Sequence, residues 1–240
     1  MRIIEKIAEK AKNNRDFSTV TIAFLGDSVT QGCFEIYRKG EGIETVYDQS
    51  SSYERGVSDV LSTLYPSCPI NVINAGISGD NTSGGLARLS RDVISHRPDL
   101  CVVCFGLNDC SVNEGSVEKY VGNLRKIFEE LKASDIEIIF MTPNMMNTSV
   151  SPHITDEGFK VLAERIAKMQ NEGVFDAHID GARALCREMN VALCDCYAIW
   201  KRLAECGANT TELLSNKINH PTREMNKMFS YELVKTMLEM

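Results

Sequence analysis

The chain alternates short apolar runs with amphipathic stretches, and this alternation restricts its fold more than any other feature. Runs at residues 20–25, 70–74, 100–105, 136–141 and 191–194 are rich in β-branched side chains and short enough to be strands. None shows a strict polar–apolar alternation, as expected of strands covered on both faces. Between them lie patterns with helical spacing. Val117, Tyr120, Val121, Leu124, Phe128 and Leu131 form one stripe, with Ser116 placed to cap it. Phe159, Leu162, Ile166 and Met169 form another, behind Thr155-Asp156-Glu157, which read as an N-cap and an acidic first turn. Met225, Phe229, Leu233 and Met237 recur every four residues and read as core packing. Strands alternating with helices imply parallel pairing through right-handed crossovers. The expected architecture is a three-layer α/β/α sandwich of flavodoxin-like type with a five-stranded parallel sheet, formed by residues 1–240 as a single domain.

Composition narrows the function classes. A net charge of −7, without a useful Lys/Arg run, argues against a nucleic-acid partner. No apolar run is long enough to span a membrane, so no membrane partner is expected. The first residues do not read as a signal peptide, because charges interrupt them. Ile3, Ile4, Ile7, Ala8 and Ala11 instead fit one face of a helix packed on the domain. The nine cysteines are an odd number, which fits free thiols in a reducing compartment, and a cytoplasmic location is expected. Cys101 and Cys104 look like a CxxC pair. On a strand, positions three apart face opposite sides and cannot share a metal, so both read as small buried hydrophobes. Residues 33–52, with Gly40, Gly42 and a serine run, read as a long loop after the first strand.

Ligands of an open parallel sheet bind beyond the carboxyl ends of its strands, so the residues just past each strand carry the functional information. After the first run comes Gly26-Asp27-Ser28-Val29-Thr30-Gln31-Gly32. After the second comes Ala75-Gly76-Ile77-Ser78-Gly79-Asp80-Asn81. After the third comes Gly106-Leu107-Asn108-Asp109, and before the last helix comes Ile218-Asn219-His220-Pro221. A serine, a glycine, an asparagine and a histidine thus fall in order on one edge. With its GDS, GxND and His-Pro blocks, the chain resembles the SGNH (GDSL-type) hydrolases over roughly residues 20 to 222. Asp195, ending the fifth run before a helix, adds to the likeness.

The resemblance implies a serine ester hydrolase with Ser28 as nucleophile and His220 as general base. It also implies an oxyanion hole made by the backbone N–H groups of Ser28 and Gly79 and the side-chain amide of Asn108. A glycine suits position 79 because its backbone can approach a ligand closely, and an uncharged amide suits position 108. The expected substrate is a small or carbohydrate-linked ester, an acetyl ester being one candidate, cleaved through an acyl-serine intermediate. No cofactor and no metal are expected. Asp27, Asp109 and His153 are candidate substrate contacts, although Asp27, Asp80 and Asp109 also suit the work of holding loops and helix starts. His96 reads as facing a helix C-terminus, and His178, among Asp176 and Asp180, as part of a solvated helix face. Pro221 reads as the first residue of the last helix.

The family usually has an aspartate three residues before the histidine. Here that position is Lys217, and residues 213–223 contain no carboxylate. A lysine cannot accept the imidazole N–H. A main-chain carbonyl near residue 217, Asn216, Asn219 or a carboxylate from elsewhere could do so, leaving a Ser–His dyad with a lowered histidine pKa. Two alternatives stay open: a non-catalytic ligand-binding module on an SGNH fold with an impaired triad, and a flavodoxin-like phosphate binder using residues 26–32 as its anion loop.

Overall fold

In a computed structural model, which describes residues 2–111 and 116–240, helix α1 (Ile3–Lys12) leads into strand β1 (Val20–Gly26) and the one-turn helix α2 (Ser28–Gln31). A hairpin of β2 (Cys33–Lys39) and β3 (Gly42–Tyr47) follows, then α3 (Tyr53–Leu64), β4 (Ile70–Gly76) and α4 (Thr82–Asp92). Next come β5 (Leu100–Cys104), the short α5 (Leu107–Ser111), α6 (Val117–Ala133) and β6 (Glu137–Met141). The chain continues through α7 (Glu157–Asn171), α8 (Val174–Met189), β7 (Ala192–Cys194), α9 (Cys196–Glu205) and α10 (Arg223–Glu239).

Five strands form one parallel sheet in the order β4-β1-β5-β6-β7, the flavodoxin-like order. All five coincide with the expected runs to within two residues at each end. Side-chain alternation divides the core in two. Ile22, Phe24, Val102, Cys104, Ile139 and Met141 face one layer, built from α1, α3, α9 and α10. Ala23, Leu25, Cys101, Val103, Ile138 and Phe140 face the other, built from α4, α6 and α8. Cys101 and Cys104 therefore do lie on opposite faces of the sheet. Burying both faces is what makes the strands read as continuous apolar runs.

The helix signals hold where a cap or a stripe carried them. Ser116 accepts the N–H of Lys119 and Asp156 that of Phe159, and Ile3 and Ile7 of α1 are fully buried. Three readings are corrected. Residues 33–52 hold a β-hairpin rather than a long loop. Its turn at Gly40, where φ is +61°, suits a glycine, and among the described residues its strands pair only with each other. His178 is 1% exposed, not solvated: its Nδ1 lies 2.9 Å from the Val174 carbonyl and its ring packs on Tyr120. Pro221 is not the first residue of α10. It forms an antiparallel bridge with Leu214, and Thr222 caps the helix by accepting the N–H of Met225. Among the described residues, no helix is long and apolar enough to cross a membrane.

Candidate active site

The parallel register aligns the carboxyl ends of the three strands that matter. Gly26 of β1 is level with Gly76 of β4 and Cys104 of β5. The strand order reverses around β1, which places a crevice at this edge. Ser28 lies two residues beyond β1, in the first turn of α2. Asp27 caps that turn by accepting the N–H of Val29, so Ser28 is not itself the cap. The turn sits directly on β4: a Cβ at Gly76 would come within 2.3 Å of the Gln31 nitrogen. The two loops are cross-linked, Ile77 N–H to the Gly26 carbonyl and Ser78 N–H to Gln31 Oε1.

His220 reaches the same edge from the other end of the chain. Its approach is built by Asn216, whose Oδ1 accepts the N–H groups of Ile218, Asn219 and His220. The Leu214–Pro221 bridge then closes the turn, with Ser215 N–H donating to the His220 carbonyl. In this geometry Ser28 Oγ is 2.9 Å from His220 Nε2, and His220 Nδ1 is 2.9 Å from the Phe34 carbonyl. A carbonyl can only accept, so Nδ1 carries the proton. Nε2 keeps its lone pair and accepts the Ser28 hydroxyl. Burial at 6% exposure pushes the imidazole pKa down to about 4, partly offset by the Phe34 bond and by Glu35. His220 is therefore neutral at pH 7 and able to take a proton.

The second nitrogen of His220 thus bonds a backbone carbonyl, but not one near residue 217. Lys217 adopts φ +59° and directs Nζ to Glu212, at 3.0 Å from the carboxylate and 2.9 Å from its carbonyl. Asn216 and Asn219 bond backbone and each other, not the ring. The acceptor belongs to the first residues of a hairpin whose strand character has no clear side-chain signature, and a carbonyl leaves no mark in a sequence.

Gly79 and Asn108 stand on the neighbouring loops. Gly79 has φ +78° with open space where a Cβ would lie, so its glycine answers the left-handed backbone and not crowding. Asn108 Nδ2 donates to the Asp80 carbonyl at 2.8 Å, which ties the two loops together and uses one of its two amide hydrogens. Among the described residues, the N–H groups of Ser28 and Gly79 have no acceptor in the protein. Arg88 underpins this edge. It is 7% exposed and donates to the carbonyls of Gly26 and Ala75 and to Asp80.

Two of the candidate substrate contacts are buried instead. Asp27 is 1% exposed and burial pushes its pKa up to about 7, while Asp109 is spent on the N–H and hydroxyl of Thr82. His153 does line a cavity. This cleft of about 530 Å³ is walled by Glu35, Ile36, Tyr37 and Arg38 of the hairpin, by residues 153–156 and Phe159, and by residues 215–217. Its charges are paired: Arg38 with Asp156 while stacked on Phe159, Lys217 with Glu212, and Glu35 with Arg223. Asp195 caps α9 and pairs with Arg183, away from any bond to His220. Among the described residues, no group of three or more His, Cys, Asp or Glu is placed to hold a metal.

The family profile described as GDSL-like Lipase/Acylhydrolase matches residues 24–228. The chain belongs to that family. Its five-stranded α/β/α sandwich is the SGNH hydrolase fold. An acetylxylan esterase of Geobacillus stearothermophilus is 33% identical over 131 residues, which cover 51% of this chain and 58% of that protein. An arylesterase of Vibrio mimicus is 31% identical over 98 residues, covering 38% and 48% respectively. The sequence matches thus span about half the length of these relatives. A crystal structure of the Geobacillus acetylxylan esterase superposes with a TM-score of 0.69 at 21% identity, over 92% of this chain and 94% of the other, a likeness of fold.

Proposed function

We propose that the GDSL-type chemistry runs here through Ser28 and His220 on an acetyl or similarly small acyl ester of a carbohydrate. As Ser28 Oγ attacks the ester carbonyl, its proton passes to His220 Nε2. The carbonyl oxygen becomes an oxyanion held by the N–H groups of Ser28 and Gly79 and by the free amide hydrogen of Asn108. Collapse expels the alcohol, which takes the proton back from Nε2 and leaves acyl-Ser28. Water then repeats the sequence, giving up its proton to His220 and releasing the acid.

The observation that carries this reading is the Phe34–His220–Ser28 chain of hydrogen bonds, 2.9 Å at each step. It supplies the tautomer and orientation that a triad acid would supply, without a carboxylate. It also weighs against the alternative of a ligand-binding module with an impaired triad. The cleft bordered by the hairpin and residues 215–217 does not include Ser28 or His220 in its walls but lies beside the segments that carry them. Its charges are mutually paired and Tyr37 is exposed, which suits a neutral, hydroxyl-rich alcohol extending from the site. The kinship with an acetylxylan esterase points the same way.

The test compares wild type with Ser28→Ala on p-nitrophenyl acetate and on an acetylated xylose oligosaccharide. Wild type should turn over both, and the variant should lose at least about 10³-fold in kcat. Wild-type turnover by Ser28→Ala would remove the nucleophile. Turnover of the aryl ester alone would remove the carbohydrate.

A further inference from the structure

With a backbone carbonyl in the acid's place, base strength and orientation depend on how firmly that carbonyl is held. The hairpin does not hold it by itself. Among the described residues strand β2 pairs only with β3, and the ladder shifts register between Cys33 and Ile36, so Phe34 and Glu35 fall outside the paired positions. A carbonyl in a register break is free to tilt unless something else fixes the residues around it.

Arg223 does this from three sides. Its guanidinium lies 4.3 Å from the centroid of the Phe34 ring. Its Nη1 and Nη2 donate to the two oxygens of Glu35 at 2.6 and 3.2 Å, and its Nε donates to Asp48 at 2.8 Å, just past the hairpin. The fork thus grips the side chain of Phe34, the next residue, and the strand that returns. A planar guanidinium can hold all three at once, and an ammonium cannot. Arg223 is also the first residue of α10, three positions after His220, so the clamp on the acceptor and the imidazole that donates to it are carried by one short segment.

Resting on the assignment of His220 as base, we propose that Arg223 is a positioning residue: by clamping Phe34, Glu35 and Asp48 it fixes the Phe34 carbonyl against His220 Nδ1–H, replacing the missing triad acid with a tethered piece of backbone.

The experiment uses Arg223→Met, which keeps length and apolar contact but removes the fork, with Arg223→Lys alongside. Two readouts are taken on the full chain: kcat and KM on p-nitrophenyl acetate, and the ¹⁵N–¹H signal of His220 Nδ1–H. Arg223→Met should lower kcat about 10- to 100-fold with KM within about threefold, and the Nδ1–H signal should broaden or vanish. Arg223→Lys should recover little, since the charge is not the point. Retention of kcat within twofold together with an intact Nδ1–H signal would overturn the proposal. If Arg223→Met fails to fold, Glu35→Gln combined with Asp48→Asn removes the clamp from the hairpin side, with the same expected result and the same contrary one. The proton signal does not require turnover. An inactive wild type whose Nδ1–H signal still depends on Arg223 would therefore overturn the catalytic assignment and leave the clamp standing.

Discussion

A histidine base needs one nitrogen protonated and bonded and the other bare, and the proposed base His220 meets both needs with two groups from the far end of the chain, the Phe34 carbonyl and the Ser28 hydroxyl. What it lacks is a negative charge in direct contact. In the proposed mechanism the imidazolium leans on a carbonyl dipole and the more distant Glu35, whose carboxylate Arg223 holds below its usual range. The pH profile should show this. Below its pKa His220 is protonated and cannot take the Ser28 proton, so kcat/KM should fall as pH drops through about 4, where burial places the group. An acid limb between about pH 6 and 7, near the ordinary histidine range, would contradict the buried, carboxylate-free base. Lys217→Asp bears on the same point. The side chain at 217 is turned to Glu212 and not to the imidazole, so this substitution should leave the acid limb in place. A rise of one pH unit or more would mean that position 217 reaches His220.

At the level of elements, the turn that carries Ser28 is held by backbone against backbone. Helix α2 is a single turn resting on the end of β4, and glycine at position 76 is what lets the two chains meet. Gly76→Ala would drive a Cβ into the Gln31 nitrogen and the Thr30 carbonyl carbon, atoms that cannot rotate aside. A loss of about 1–3 kcal/mol in stability is expected, with a larger than proportionate loss of kcat because Ser28 rides on the displaced turn. Denaturant unfolding and kinetics on one preparation check both; unchanged stability would mean that β4 and α2 are not in this contact. The sequence makes some of these elements plain and hides others. Ser116 and Asp156 are readable because a cap needs a particular oxygen at a particular offset. The β2–β3 hairpin is not, because its strands lie outside the main sheet and their outer residues stay exposed, so no apolar period marks them. For the same reason Glu35, Asp48 and Arg223 look like unrelated surface charges until the hairpin folds across the start of α10.

On the scale of the whole molecule, a parallel sheet gathers distant chain positions at one edge. Register brings Gly26, Gly76 and Cys104 level, so Ser28, Gly79 and Asn108 arrive on adjacent loops, and the turn before α10 brings His220 to Ser28. That much was legible because buried strands and strand-end motifs are both written in side chains. The orienting acceptor was not, since a carbonyl belongs to every residue and only the tertiary fold selects which one is used. Asp27 and Asp109 sit in the motifs and do the work of holding a helix start and a loop that their positions also suit: Asp27 Oδ1 accepts from Val29 and Asp109 accepts from Thr82. The central claim is that Ser28 is an activated nucleophile, and covalent labelling tests it most directly. Wild-type protein treated with a fluorophosphonate and digested for peptide mass mapping should carry one adduct, on the peptide containing Ser28, and Ser28→Ala should carry none. Protein that stays unlabelled, or that is labelled at another serine while Ser28 remains free, would contradict it.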